Sequence, residues 1–466
     1  MISSRYRLAV LCLCVLAGCA ARPYAPRELQ HDAAAEYRDR RPELPALAQF
    51  ASQSGYAREW PPEEWDFAAL TLLALYFSPD IRVARAQADV SRAEIAVAGE
   101  PLPVGLTPAL EHHSREVEGD GPWSLGVALN LPWVARSKRE ARVERAVALT
   151  DAAEFEVALS IWRVRAQARD RLIDLLDSRE RLSMLESAAS ARREMRALVA
   201  RRVEAGMLSA RDLSQEDVVL AEIDSALAEE RGLAREAQAA AARAVGLPLE
   251  TFQRMTISRD PLPGRVEARS ADALREAALR NRLDLYQRLR GFAAADAEVK
   301  LAVASQYPEL TFSPGYFWDQ GDSVWSLAAG MVFPPALRTK AAVRQAEARR
   351  ELAAQRFLEL QIQVIGEVER VAERLRSAEL LAMAAAAQSE AARAQLSRVE
   401  SLFERGGTDR LQLAAARIAA ASAVRSDLQA RTATWRALAG LEDAIQEPMF
   451  DSAQSLRVLV GAGAGK

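Results

Sequence analysis

Cysteine is almost missing from this chain of 466 residues. Cys12, Cys14 and Cys19 are the three it has, and none follows them. Beyond residue 19, a disulfide framework and Cys-based metal sites are therefore excluded. Histidine is as scarce: His31, His112 and His113. A zinc site needs three or four spaced ligands. His112 and His113 are neighbours in an extended segment, so their side chains point to opposite faces. No P-loop, Gly-x-Ser-x-Gly or dinucleotide fingerprint is present. No residue set supports enzymatic catalysis, and no cofactor is expected. The net charge of -3 gives no basic excess for a polyanion, so nucleic acid is not an expected partner. Aromatics are 6% of the residues. From Trp133 to Ala205 there is neither glycine nor proline.

What is abundant is Ala, Leu, Arg and Glu, a composition that leans towards long helices or coiled coil. The N-terminus has its own pattern. Arg5 and Arg7 precede an apolar run, Leu8 to Leu16. That is the layout of a secretory signal, and the run is too short for a membrane span of about 20 residues. It ends Leu16-Ala17-Gly18-Cys19, which resembles a bacterial lipobox. The expectation is a signal peptide over 1–18 and covalent lipid on Cys19. Ala20, in place of Asp, favours sorting to the outer membrane. Residues 19–64, rich in Pro, Arg and Ala, read as a tether or irregular wrapping segment.

Helical patterning begins at Trp65. Asp66 precedes Phe67, Leu70, Leu73 and Leu75, and Ser78-Pro79-Asp80 interrupts before a helix from Ile81 to about Ala98. Pro101, Pro103, Gly105 and Pro108 then forbid helix. Next, Trp123, Leu125, Val127, Leu129 and Leu131 alternate with Ser124, Gly126, Ala128 and Asn130. Period two marks a strand, with Pro132 expected to end it. The Gly- and Pro-free stretch that follows predicts a helix of about 70 residues and about 100 Å. Gly206 marks its tip, and a return run to Val245 stops at Gly246.

The pattern then repeats. Asp80 recurs as Asp284, Ala93-Glu94-Ile95 as Ala297-Glu298-Val299, and Trp123-Ser124-Leu125 as Trp325-Ser326-Leu327. Pro132 recurs as Pro334, and Glu204-Ala205-Gly206 as Glu404-Arg405-Gly406. A tandem duplication follows. The first repeat spans 65–249 and the second 272–445, with a connector at 250–271 and a tail at 446–466. Each repeat contributes a β-hairpin, about 104–131 and about 308–333. Four strands of nine to eleven residues have the length of tilted membrane strands. They cannot close a barrel alone, and open edges are costly in lipid. Three copies give twelve strands. Trp123, Leu125, Val127 and Leu129, with Trp325, Leu327, Met331 and Phe333, would then face lipid, and Trp123, Trp318 and Trp325 would supply an aromatic girdle. The fold class is mainly α with a small β membrane part.

The lipobox, the duplication, the Pro-bounded hairpins and the Gly-tipped long helices together resemble the TolC-like outer-membrane efflux family, in particular its lipidated members serving resistance-nodulation-division pumps. The match covers Trp65 to about Glu442. It implies a homotrimer with an α-barrel of long-helix hairpins in the periplasm and a 12-stranded β-barrel in the outer membrane. It also implies a periplasmic adaptor and an inner-membrane pump as partners. In that family the periplasmic end is closed by helix tips and by acidic rings, with Asp six and nine residues after the second tip glycine. Here Gln412 and Ala415 stand there, whereas Asp212 holds the equivalent place in the first repeat. Candidate gate residues are Gly206, Asp212, Gly406, Gly407, Asp409, Arg410 and Gln412. The competing expectation is a periplasmic coiled-coil scaffold, anchored by lipid alone and forming no pore.

Overall fold

The structure is a computed structural model that describes residues 24–26, 32–56, 58–114, 122–133, 135–258, 269–319 and 321–450. Cys19, His31 and the segment from 451 onward lie outside the described residues. The chain divides into two compact units, Met1–Arg40 and Arg41–Lys466.

The stretch before Trp65 is more regular than its composition suggests. In the first unit, α1 (Ala33–Arg38) is capped by Asp32, whose side chain accepts from the Ala35 N–H. In the second, α2 (Pro45–Gln53) opens on a proline and buries Leu47 and Ala51. The segment read as a tether or irregular wrapping segment thus holds helices of six and nine residues, which are too short to show a periodicity.

The rest follows the duplication. The first repeat holds α3 (Phe67–Phe77), α4 (Pro79–Gly99), β1 (Gly105–His112), β2 (Trp123–Trp133), α5 (Arg136–Glu204) and α6 (Ala210–Val245). After α7 (Leu249–Gln253), the second holds α8 (Ala271–Asn281), α9 (Leu283–Ala304), β3 (Glu309–Asp319), β4 (Asp322–Val332), α10 (Ala336–Glu404) and α11 (Arg410–Ile445). α5 and α10 each have 69 residues, and α6 and α11 each have 36. Local signals set the ends. Asp66 accepts from Ala69 N at 2.8 Å and starts α3. Ser78 caps α4, with Pro79 at its first position. Gly246 closes α6 in the left-handed region at φ 77°.

The mate of Gly246 is Gln446, which takes the same left-handed turn at φ 48° although it carries a side chain. Its Oε1 accepts from the Leu283 N–H at 2.8 Å and so caps α9 from a distance. In the first repeat Ser78 does this work locally. The two repeats solve one capping problem in two ways.

The four strands form one antiparallel sheet in the order β1-β2-β3-β4. Beneath it, α4, α5, α9 and α10 lie side by side in the same order; further along, the neighbours are α6, α5, α11 and α10. Halfway along α5 and α10 an apolar core gathers α3, α7, α8 and the end of α11 around Phe67, Leu172, Phe252, Val368 and Ile445. Among the described residues no single helix is long and apolar enough to cross a membrane.

Candidate functional site: strand wall and helix tips

The sheet sorts its side chains by register. Leu125 pairs with Leu110 of β1 and with Trp318 of β3, and Tyr316 pairs with Trp325 of β4. Directly opposed residues share a face. One face therefore carries Trp123, Leu125, Val127 and Leu129 on β2, then Trp325, Leu327 and Met331 on β4, continued by Phe333. All are exposed, Leu327 at 75%. Among the described residues no helix packs over this face. An apolar sheet face left open is the opposite of a globular core.

The other face is mostly small and polar, with Phe317, Val324 and Val332 the larger apolar residues on it. At the hairpin ends, His113 Nε2 lies 2.8 Å from Ser124 Oγ and 3.1 Å from Asp319 Oδ1, and the Ser124 hydroxyl donates to Asp319. Lower down, Asn130 Nδ2 donates to Thr107 Oγ1 at 2.7 Å and Asn130 Oδ1 accepts from Ser313 Oγ at 2.8 Å. The second bond bridges a gap in the β2–β3 ladder beside Pro314, which has no N–H to donate. The Phe317 ring lies over Gly126, where an added Cβ would collide with it. Sequence patterning assigns Ser124 to this face but gives no hint of its partner, because Asp319 is 195 residues away.

Two strand limits differ from expectation. β2 does not end at Pro132 but runs through it, with Pro132 paired to Thr311 and Trp133 to Leu310. The pairing to β1 stops at Asn130, so Pro132 sits where that edge is open and its missing N–H costs nothing. The second hairpin turns at the Asp319–Asp322 pair, so Trp325, expected in an aromatic girdle at the rim, is the fourth residue of β4 and not at its end.

At the far end of the long helices, Gly206 and Gly406 both turn the chain in the left-handed region, at φ 70° and 73°. Met207 N donates to Arg202 O and Gly407 N to Leu402 O, both at 2.8 Å, which satisfies the last carbonyls of α5 and α10. Asp212 is spent locally: with Ser209 it forms the capping box of α6, and those bonds hold its carboxyl below the usual range. Asp409 is the N-cap of α11, accepting from Gln412 N at 2.8 Å. It also accepts from Arg202 Nη2 at 2.8 Å, so it ties the second tip to the first. Gln412 accepts from Thr408 Oγ1 at 2.6 Å. Arg410 is exposed at the start of α11. The structure thus joins Asp409 to Arg202, a partner that no local sequence pattern indicates. The Arg202 guanidinium, then the Gln412 amide, depress the Asp409 carboxyl below its ordinary value. A depressed acid keeps its pair down through the ordinary carboxylate range and loses it only at more acid pH.

A third cluster is not legible in sequence. Arg165 and Arg169 of α5 and Glu442 of α11 are fully buried at the level of the apolar core. Arg165 Nη2 lies 2.6 Å from Glu442 Oε1, and Arg169 Nη1 2.5 Å from Oε2. Arg169 also donates to Asp443 at 2.7 Å. Arg165 stacks against Phe67 and Trp162, and Arg169 against Phe450. Met449 N donates to Glu442 Oε1 at 2.8 Å. One carboxylate therefore binds the first repeat to the end of the second. Among the described residues no group of three or more His, Cys, Asp or Glu side chains is placed to hold a metal ion.

Residues 274–445 match the family model described as "Outer membrane efflux protein". No curated relative matches the chain in sequence. Among solved structures the chain is similar to the outer-membrane channel OprN, at 19% identity and a TM-score of 0.67, over 92% of this chain and 99% of that one. It is likewise similar to the outer membrane protein VceC of Vibrio cholerae, at 18% identity and a TM-score of 0.66, over 83% and 99%. CusC, solved in a study of transmembrane channel formation, matches at 17% identity and a TM-score of 0.65, over 82% and 92%. The second repeat is thus similar to an outer membrane efflux protein domain, in a chain whose fold is like that of the outer-membrane channel OprN and of VceC.

Proposed function

We propose that this protein is the outer-membrane exit duct of a tripartite efflux system, a homotrimer that carries small molecules out of the periplasm. The observation that carries the reading is the sheet itself. Its two edge strands, β1 and β4, are unpaired, and one whole face is apolar and uncovered. In lipid every backbone group needs a partner, so the edges demand neighbours. Three copies supply twelve strands, a permitted number for a barrel. The apolar face then meets lipid and the small, polar face lines the lumen. A lipid-anchored scaffold would have no use for such a sheet. The partners that fit are a periplasmic adaptor at the tips and an inner-membrane pump beyond it. Nothing in the wall requires enzymatic chemistry or a cofactor.

Lipid on Cys19 completes the reading, carried by Leu16-Ala17-Gly18-Cys19. Labelled palmitate should enter the wild-type protein and not Cys19→Ser. Absence of label from the wild type would remove the anchor but leave the duct, because one acyl chain adds only marginal anchoring to a barrel.

The tips are the gate in this reading. A resting duct is closed by helices that lean inward, and an adaptor opens it by binding the open state better. Arg202–Asp409 holds the two hairpins of one copy together at that level, and Gly406-Gly407 gives the turn its freedom. Asp409→Asn keeps a good N-cap and removes the charge. In planar bilayers the wild type should form channels of low conductance, and Asp409→Asn should raise that conductance, with Arg410→Ala a milder change. No channels at all from the wild type would refute the duct. Channels with unchanged conductance in Asp409→Asn would reduce the pair to tip solvation.

A further inference from the structure

The row of helices beneath the sheet has two faces, and α9 marks them. Glu298 lies between Arg145 of α5, at 4.0 Å, and Arg349 of α10. Asp296 and Lys300 stand two residues to either side of it, about 200° round the helix and so on the opposite face. There acids and bases are spent on one another: Lys300 holds Glu144 at 2.5 Å, and Asp296 holds Arg350 at 3.0 Å. The face of Glu298 is unbalanced. On α5, Lys138, Arg142 and Arg145 follow at steps of four and three and form one stripe. On α10, Arg338, Arg349 and Arg356 are eleven and seven residues apart, again on one side. Arg288 of α9 lines one cleft with Arg356. Against these bases stand Glu298, shared by two arginines, Glu359 in the same cleft, and Glu94 of α4, the mate of Glu298. Arg142, Arg288, Arg338 and Arg356 form no ion pair among the described residues. Arg142 is half-buried, and its Nε and Nη2 are buried without an acceptor. Buried donors left in that state are rare.

Two observations turn this face to the bore. Lys138, at the head of the α5 stripe, donates to Glu309 at 3.2 Å. Glu309 lies on the mostly small and polar face of β3, in step with Ser313. Further down, the α5 stripe continues through Glu156 and Arg163. Ile161, two residues before Arg163, points the other way, and there it packs in one cluster with Ala74 and Leu75 of α3. Three copies of α3 inside a duct would plug it. α3 therefore marks the outside, and the arginines line the bore.

We propose that the bore below the strands selects anions, and that the cargo of the duct is small organic molecules carrying a negative charge. The proposal rests on the trimeric reading and names the substrate class of that duct. Three copies turn each unpaired arginine into a ring, and rings of arginine or lysine are how anion pores are built. A bore lined by one sign of charge concentrates counter-ions by about 10–1000-fold. Guanidinium groups stay charged at every physiological pH, so the preference should not titrate. Reversal potentials in planar bilayers test it, with potassium chloride gradients at or below about 0.1 M, where the screening length is still about 10 Å. Chloride should pass in preference to potassium, and benzoate in place of chloride should keep the anion preference. Arg142→Gln combined with Arg288→Gln and Arg356→Gln should lower the chloride-to-potassium permeability ratio by about tenfold. Arg356→Gln alone, at an exposed site, should shift it less in the same direction, and Lys300→Gln, on the outer face, should leave it unchanged. Wild-type channels that pass potassium as readily as chloride, that exclude benzoate, or whose ratio survives the triple variant overturn anion selection and leave the duct standing. A shift with Lys300→Gln as large as with Arg356→Gln overturns it too. Absence of channels from the wild type overturns both readings.

Discussion

Leu327→Arg should abolish the assembled protein, whereas Ala328→Arg, one residue further along β4, should be tolerated. Leu327 lies on the apolar face, opposite Pro314 of β3 and in line with Trp325 and Met331. An arginine facing lipid costs about 2–4 kcal/mol near the midplane, and a trimer incurs that cost in each copy. The result is misassembly in place of a weakened channel. Ala328 is exposed on the small-residue face, where its arginine would reach water in the lumen. Trimer yield in outer-membrane fractions separates the two. Ser124 is the wrong place for the same test. It lies on the same face as Ala328 but is 4% exposed and bonded to Asp319, so Ser124→Arg should fail for local reasons. Equal tolerance of arginine at 327 and 328 would show that the sheet does not face lipid.

Glu442→Ala should give the largest loss of stability outside the wall. It removes the carboxylate between two fully buried guanidinium groups. Breaking a buried pair by deleting one partner typically costs about 3–5 kcal/mol, because the surviving charge is left without compensation. Here two charges survive. Burial opposes the Arg169 charge, but its bonds and charge contacts to Asp443, with Glu442, outweigh this and hold it more firmly protonated than usual. It therefore stays charged in the variant and destabilises it. Asp443→Ala should cost less, since Asp443 is partly exposed and Glu442 still serves both arginines. Thermal unfolding of the purified protein should rank the two. A Glu442→Ala protein as stable as Asp443→Ala would mean that water enters the cluster and screens it.

The repeats, the long helices, their glycine tips and the two strand faces are legible because each rests on periodicity or on a turn residue. The first 69-residue helix holds neither glycine nor proline, and the second holds a single glycine, Gly366, through which the helix runs unbroken. What stays hidden depends on contacts between distant residues. Arg165 and Arg169 read as ordinary solvated charges on an Arg-rich helix, and only the packing of α3 and α11 against them reveals burial. Asp409 is readable as a cap, because an Asp before a helix is a local signal. Its bond to Arg202, 207 residues away, is not. Gln446 shows the same limit from the other side. Its left-handed turn replaces the glycine of the first repeat, and the reason is a cap on α9 that no local pattern encodes. The short helices before Trp65 escape a sequence reading because they are too short to show a periodicity, and the strand runs through Pro132 because its pairing to β1 has already stopped.

The central claim is a closed barrel made from open sheets, and imaging the assembly tests it most directly. Cryo-electron microscopy of the protein extracted in mild detergent should show particles with three-fold symmetry. Each should have a single twelve-stranded barrel, with β1 of one copy beside β4 of the next and the face of Leu125 and Leu327 turned to the detergent. Isolated copies with an open four-stranded sheet, or a trimer whose apolar sheet faces pack against each other or against helices, would contradict the duct and favour a periplasmic scaffold.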